Sequence, residues 1–158
     1  MDVFTQIGPQ PSEVNETAAA VMARDSSGRV LCQLRDDIEG VAAPGQWCLF
    51  GGQVEAGESL RAAAVREFEE ETGLRFDEAE LRPLAQIAST VKSDWNICIF
   101  ELVTPVEPAQ VRLGEGAGFA FLNPEQFHKF DFIETYRLFF ETFFDGKRIL
   151  PRRTICEL

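Results

Sequence analysis

The segment from Gly51 to Leu74, GGQVEAGESLRAAAVREFEEETGL, constrains this chain more than any other. Two glycines and a short turn lead into a run dense in Ala, Arg, Glu and Leu that stops at a glycine. Ser59 stands where an N-cap hydroxyl accepts a hydrogen bond from a free amide, and Gly73 stands just past the helical pattern, where a left-handed residue closes a helix. The run therefore predicts a helix from Leu60 to about Thr72. Glu67, Glu70 and Glu71 fall on it at i, i+3 and i+4, so their carboxylates share one face, one turn apart. Like charges so placed cost a few tenths of a kcal/mol per pair, or raise a pKa, unless a cation sits among them. Arg66 lies four residues before Glu70 and eight after Glu58, placed to pair with a carboxylate and hold the acidic face in register. Phe68 turns to the core. A merely solvated acidic face requires neither that arginine nor the glycines at 51 and 52, where a backbone can come close to a ligand.

Net charge gives the cluster a purpose. Among 158 residues, 15 Lys and Arg face 26 Asp and Glu, for a formal charge of −11. A field of that sign repels duplex nucleic acid and anionic membrane surfaces. A protein this acidic that handles a phosphorylated ligand needs a cation to cancel the repulsion. Clustered carboxylates suit a hard divalent ion, with Mg2+ favoured because it accepts a few carboxylates, keeps waters and takes substrate phosphates as its remaining ligands. Mn2+ is a possible substitute. Zinc does not fit: the four cysteines, Cys32, Cys48, Cys98 and Cys156, form no Cys-x-x-Cys pair, and the single histidine, His128, has no cysteine nearby. The cysteines read as buried reduced thiols, and His128 receives no role. The start, MDVFTQIGPQPSEVNE, has no basic region followed by an apolar one, and no stretch approaches the roughly 18 apolar residues of a membrane span. The expected location is cytoplasmic.

With 45% hydrophobic residues the chain can fill one core. Residues 1–15 read as an extended arm and 16–158 as a single domain. Thr17–Ala23 and Arg29–Leu34, around Asp25-Ser26-Ser27-Gly28, predict a β-hairpin. RDDIEGVAAPG, from Arg35 to Gly45, reads as a long loop before a short buried strand, Trp47–Phe50, that ends at the two glycines. Further strands are expected at Leu84–Val91, Trp95–Val103 and Gly118–Leu122. The segments Pro124–Phe130 and Ile133–Phe144 are expected to be helical, with Phe132, Tyr136, Phe139, Phe140, Phe143 and Phe144 forming an apolar stripe that covers the sheet or one face of a homodimer. The fold class is α/β (α+β), with a mixed, partly antiparallel sheet between helical layers.

Here the chain resembles the Nudix hydrolases. Their signature runs Gly, five residues, Glu, seven residues, Arg-Glu, an apolar residue, any residue, Glu-Glu, any residue, Gly, and an apolar residue. Residues Gly52, Glu58, Arg66, Glu67, Phe68, Glu70, Glu71, Gly73 and Leu74 satisfy every specified position of this box, 52–74. The one departure is Phe50, where many relatives carry proline, and it implies a local change in the loop with no loss of the metal site. The resemblance implies an α/β/α sandwich and Mg2+ held by Glu67, Glu70 and Glu71, with the Gly51 carbonyl as a further ligand. It also implies a supporting Glu58–Arg66 salt bridge and a late-loop glutamate that completes the site or acts as general base, for which Glu115 in LGEG is the candidate. Arg35, as a fork for phosphate, and Gly52 are candidates for substrate contact, as are Asp36 and Asp37. Trp47 and Trp95 read as packing residues before base-stacking ones. The activity implied is Mg2+-dependent cleavage of a diphosphate bond in a nucleoside triphosphate, or in a nucleoside diphosphate linked to another moiety such as a nucleotide sugar. A nucleotide-sensing module fits less well, because such modules often lose box glutamates; an isomerase fits less well again. The Arg35–Gly45 loop and the arm before Thr17 are the expected specificity elements.

Overall fold

The computed structural model describes residues 1–144; Cys156 and the end of the expected 16–158 domain lie outside the described residues. In the run ETAAAVM the stretch AAAVM is apolar on both faces, as a strand buried on both sides must be. It forms β2 (Glu16–Met22), inside a five-stranded mixed sheet. β1 (Thr5–Ile7), β5 (Phe50–Gln53), β6 (Leu81–Ala88) and β7 (Trp95–Leu102) complete that sheet in the order β1-β6-β7-β2-β5. β2 runs parallel to β7 and antiparallel to β5. A second, antiparallel sheet has the order β4-β3-β8, from β3 (Val30–Leu34), β4 (Trp47–Cys48) and β8 (Gly118–Leu122).

The expected hairpin is present only at its turn: Arg24 and Val30 form an antiparallel bridge, and the Leu31 amide donates to the Ala23 carbonyl at 2.9 Å. Asp25 builds the turn, accepting from the backbone amides of Ser27 and Arg29 and from the Arg29 side chain, but β2 and β3 then diverge into different sheets. Central strands buried on both faces take partners distant in sequence, and the local turn does not decide them. The expected single strand at Trp47–Phe50 divides in the same way: Trp47–Cys48 pairs with β3, Leu49 crosses over, and Phe50–Gln53 pairs with β2. β6 begins three residues earlier than the sequence suggests, because Pro83 is accommodated at a register shift beside Ala85. It ends at Ala88 because the Ser89 hydroxyl turns the chain, accepting from the amides of Val91 and Lys92.

α1 (Leu60–Thr72) has the expected caps: Ser59 Oγ accepts from the Ala62 amide, and Gly73 is left-handed at φ 72° and donates to the Glu69 carbonyl. Ala63, Ala64 and Phe68 pack from it on the Ala19, Val21, Phe50 and Phe100 face of the large sheet. Phe50 is completely buried edge-to-face against Phe68, so the residue that departs from the family pattern is a core anchor. Ala20, Met22, Ile97 and Ile99, on the other face, meet the small sheet and α2 (Glu134–Phe143). Tyr136, Phe139, Phe140 and Phe144 are buried there; Phe132 belongs to the same core but precedes the helix, next to Trp47. Residues 124–129 form a 3-10 segment.

The arm is not loose. β1 pairs in parallel with β6, Phe4 packs edge-to-face on Phe100, and Asp2 forms a two-oxygen contact with Arg61 of α1.

Candidate active site

The site forms where the C-terminal half of α1, the β5 glycines, β3 and the loop before β8 meet. Gly51 lies opposite Ala20 of β2, and a Cβ there would stand 2.3 Å from the Ala19 carbonyl oxygen. This close approach brings the Gly51 amide to the Glu71 carboxylate, a contact of 3.0 Å. A Cβ on Gly52 would stand 2.4 Å from the Glu67 carboxylate. The two glycines therefore admit two of the three box glutamates against the β5 backbone.

Glu71 is almost wholly buried, with one oxygen on the Gly51 amide and the other 3.0 Å from Gln33 Nε2. Burial, the Glu115 charge and the Glu67 charge together push its carboxyl up to about 8, against the pull of the Gly51 and Gln33 hydrogen bonds. Arg66 carries the supporting network. Its Nε and Nη2 reach the two oxygens of Glu58 at 2.8 and 2.9 Å, its Nη1 reaches Glu67 at 2.6 Å, and Glu70 lies 3.6 Å away. The Arg66 hydrogen bonds hold the Glu58 carboxyl down at about 2. Glu70 is exposed.

Glu115 lies in an exposed loop stitched to both neighbours: the Gly114 amide donates to the Glu71 carbonyl at 2.8 Å, and the Ala117 amide to the Leu34 carbonyl at 2.9 Å. Gly114 has no room for a Cβ, which would meet the Glu70 carbonyl at 2.1 Å, and Gly116 is at φ 100°. The glycines of LGEG thus bring Glu115 close enough to act on the Glu71 carboxyl.

A cavity of about 160 Å3 opens beside Gly51 and Gly52, walled by Ala18, Ala20, Ala43, Trp95, Ile97 and Ile133. Arg35 and Lys92 bring positive charge to it. Arg35 Nε is spent on the Ala42 carbonyl at 2.6 Å, which ties the long loop to the cavity; Asp36 and Asp37 are not among the lining residues. Lys92 stands 4.1 Å over the Trp95 ring. Trp95 therefore borders the cavity, whereas Trp47 packs edge-to-face on Phe130. β1 of the arm lies at the opposite edge of the large sheet from β5.

Gln33 was not among the sequence candidates. It is buried in an otherwise apolar strand, and that break in VLCQL is the signal that marks it. His128 is exposed beside the Phe127–Phe140 stack, away from the glutamates. Cys32, Cys48 and Cys98 are free, buried thiols; burial pushes Cys48 up to about 12.

The donors that fit a divalent ion are all hard oxygens. The pressure on the buried Glu71 carboxyl from Glu115 and Glu67 is a charge imbalance that a cation relieves. No three His, Cys, Asp or Glu side chains among the described residues converge as a ready-made cage, because Glu67 is turned to Arg66 and Glu70 points to solvent.

A family model, NUDIX domain, matches residues 14–143. The nucleoside triphosphatase NudI of Escherichia coli (strain SE11) is 39% identical over 67 residues, 42% of this chain and 46% of that protein; NudI of Enterobacter sp. is 36% identical over 69 residues. The matched stretch spans less than half the length of these curated relatives. Among solved structures, the MutT protein of Methanosarcina mazei superposes with TM-score 0.66 at 24% identity, covering 83% of this chain and 94% of that one. The E. coli ORF135 protein gives 0.67 at 22% identity, covering 86% and 93%. These likenesses are of fold, and no helix of the described residues is long and apolar enough to cross a membrane. With a complete box on α1 and a family model covering most of its length, this chain belongs to the Nudix hydrolase family.

Proposed function

We propose that this protein hydrolyses a diphosphate bond in a nucleoside triphosphate, or in a nucleoside diphosphate linked to another moiety, with Mg2+ as its cofactor and Mn2+ as a substitute. The observation that carries the reading is the buried Glu71 carboxyl, under the charge of Glu115 and Glu67 and hydrogen-bonded to the amide of Gly51, which itself lines an apolar cavity. Glu67, Glu70 and Glu71, with the Gly51 carbonyl, are the residues that would hold the ion. When bound, a divalent ion neutralises phosphate charge and lowers the pKa of a water.

The chain's own residues supply the rest. Arg66, anchored on Glu58, fixes the Glu67 side chain and neutralises part of the acidic face until ligands gather. Glu71 is held in one rotamer by Gly51 and Gln33. Glu67 is engaged by Arg66 and Glu71 by two donors, whereas Glu115 sits on the exposed loop, and it is our candidate to take the proton of the attacking water. The alanine-lined cavity, with Trp95 at its wall, takes the apolar face of a base, and Arg35 and Lys92 set cations beside a phosphate chain. NudI, a nucleoside triphosphatase by name, favours the triphosphate reading.

A panel of nucleoside triphosphates, nucleotide sugars and dinucleoside polyphosphates tests this, incubated with Mg2+ and assayed for phosphate with inorganic pyrophosphatase added for the triphosphates and alkaline phosphatase for the two capped classes, against controls lacking this protein. Release that requires both this protein and the coupling enzyme is expected from one class, and Glu70→Gln and Glu71→Gln should each lower it by orders of magnitude in a folded protein. Full activity in both variants would refute the assignment.

A further inference from the structure

Gln33 is a polar side chain, only 4% exposed, in a strand whose neighbours Val30, Leu31 and Cys32 are buried and apolar. A buried amide is costly unless its donors are met. Both are: one Nε2 proton goes to Glu71 Oε2 and the other to the Glu115 carbonyl oxygen, each at 3.0 Å. Its Oε1 accepts from the Cys48 thiol at 3.3 Å. The reverse orientation of the amide would aim its oxygen at a carboxylate and a carbonyl, so these partners fix which way it points. Gly116 completes the fit, since a Cβ there would stand 2.9 Å from Gln33 Nε2.

We infer that Gln33 is a positioning residue which couples the Glu71 carboxylate on α1 to the loop bearing Glu115, so that the two glutamates keep a fixed relation. Without it, three polypeptide segments would still meet, but no other hydrogen bond among the described residues links the loop's backbone to the Glu71 side chain. The inference deepens the hydrolysis reading above and rests on it for the catalytic consequence. Groups that orient the residues around a metal are typically worth about 10- to 100-fold in metal affinity or activity.

The test uses the full chain and Gln33→Met, which keeps length and removes both donors. Hydrogen exchange at the Gly114 and Ala117 amides should accelerate while the α1 amides stay protected. Turnover should fall about 10- to 100-fold with KM little changed. In a Glu115→Ala background the same substitution should cost less, since the part that acts through Glu115 is gone while the part that acts through Glu71 remains. Unchanged exchange in the loop, or costs that simply multiply in the double variant, would overturn the inference. An unaltered protein that hydrolyses no nucleotide sinks the reaction and not the coupling, which the exchange rates at Gly114 and Ala117 decide by themselves.

Discussion

Gly51 and Gly52 are adjacent, and each lacks a side chain for its own reason. At Gly51 the obstacles to a Cβ are backbone and Cα atoms of β2, at 2.3 and 2.6 Å, which cannot swing aside. At Gly52 the obstacle is the far end of Glu67, which can rotate off Arg66. Gly51→Ala should therefore destabilise the fold by at least about 1–3 kcal/mol, the usual cost of forcing atoms into a packed interior. Gly52→Ala should leave the urea midpoint nearly unchanged and weaken Mn2+ binding, read by calorimetry, because it displaces a carboxylate. Equal losses of stability, with equal metal affinities, would count against this division. The sequence marks both glycines as places of close approach, but what approaches them is other parts of the same chain. That identity depends on the pairing of β5 with β2 and the packing of α1 over it, neither of which a local window contains. Glu115 shows the same limit from the other side: order and glycine setting single it out, yet only the stitching of its loop to Glu71 and Leu34 brings it to the box.

At the scale of elements, α1 is the part most legible in the sequence, because its start, stop and charged face are all set by residues within one or two turns. Ser59→Ala should cost about 0.5–2 kcal/mol, read as a lower unfolding midpoint, since it removes an N-cap acceptor. The Glu58–Arg66 bracket at its approach gives a pH dependence with a definite sign. Arg66 holds the folded Glu58 carboxyl at about 2, below its ordinary 4.5, so the unfolded chain binds the extra proton between those values. The bracket's contribution is complete above about pH 4.5 and is lost as pH falls towards 2. Thermal midpoints measured from pH 6 to 3 should decline less steeply in Arg66→Met than in the unaltered protein; parallel curves would show that the bracket carries no net stability. Strands were less legible than the helix. AAAV in β2 and VLC in β3 reveal two-sided burial, and the Asp25 cluster reveals a turn, but which strands become neighbours is settled by closing two sheets around two cores.

At the scale of the molecule, the large sheet separates two tasks at its two edges. β5, with Gly51 and Gly52, forms the edge that meets the glutamates; β1, from the arm, forms the other. The arm's pairing with β6 joins residues about 80 positions apart, Thr5 with Ala85, a long-range parallel contact that leaves no local trace in the sequence. Its fixation comes from three contacts of different kinds: the β1 ladder, the Phe4 ring on Phe100, and Asp2 on Arg61. The ion pair is partly exposed and should be worth only about 0–1 kcal/mol, whereas the half-buried aromatic contact should contribute about 1–3 kcal/mol. Phe4→Ala should then lower the unfolding midpoint more than Asp2→Asn does. Because strands β6, β7 and β2 stand between the arm and the glycines, neither substitution should change KM, turnover or Mn2+ affinity at temperatures where the variants are folded. A shift in KM with either would mean that the arm communicates with the site, through the sheet or through Arg61 of α1, and the division of the fold into a stabilising edge and a chemical edge would have to be abandoned.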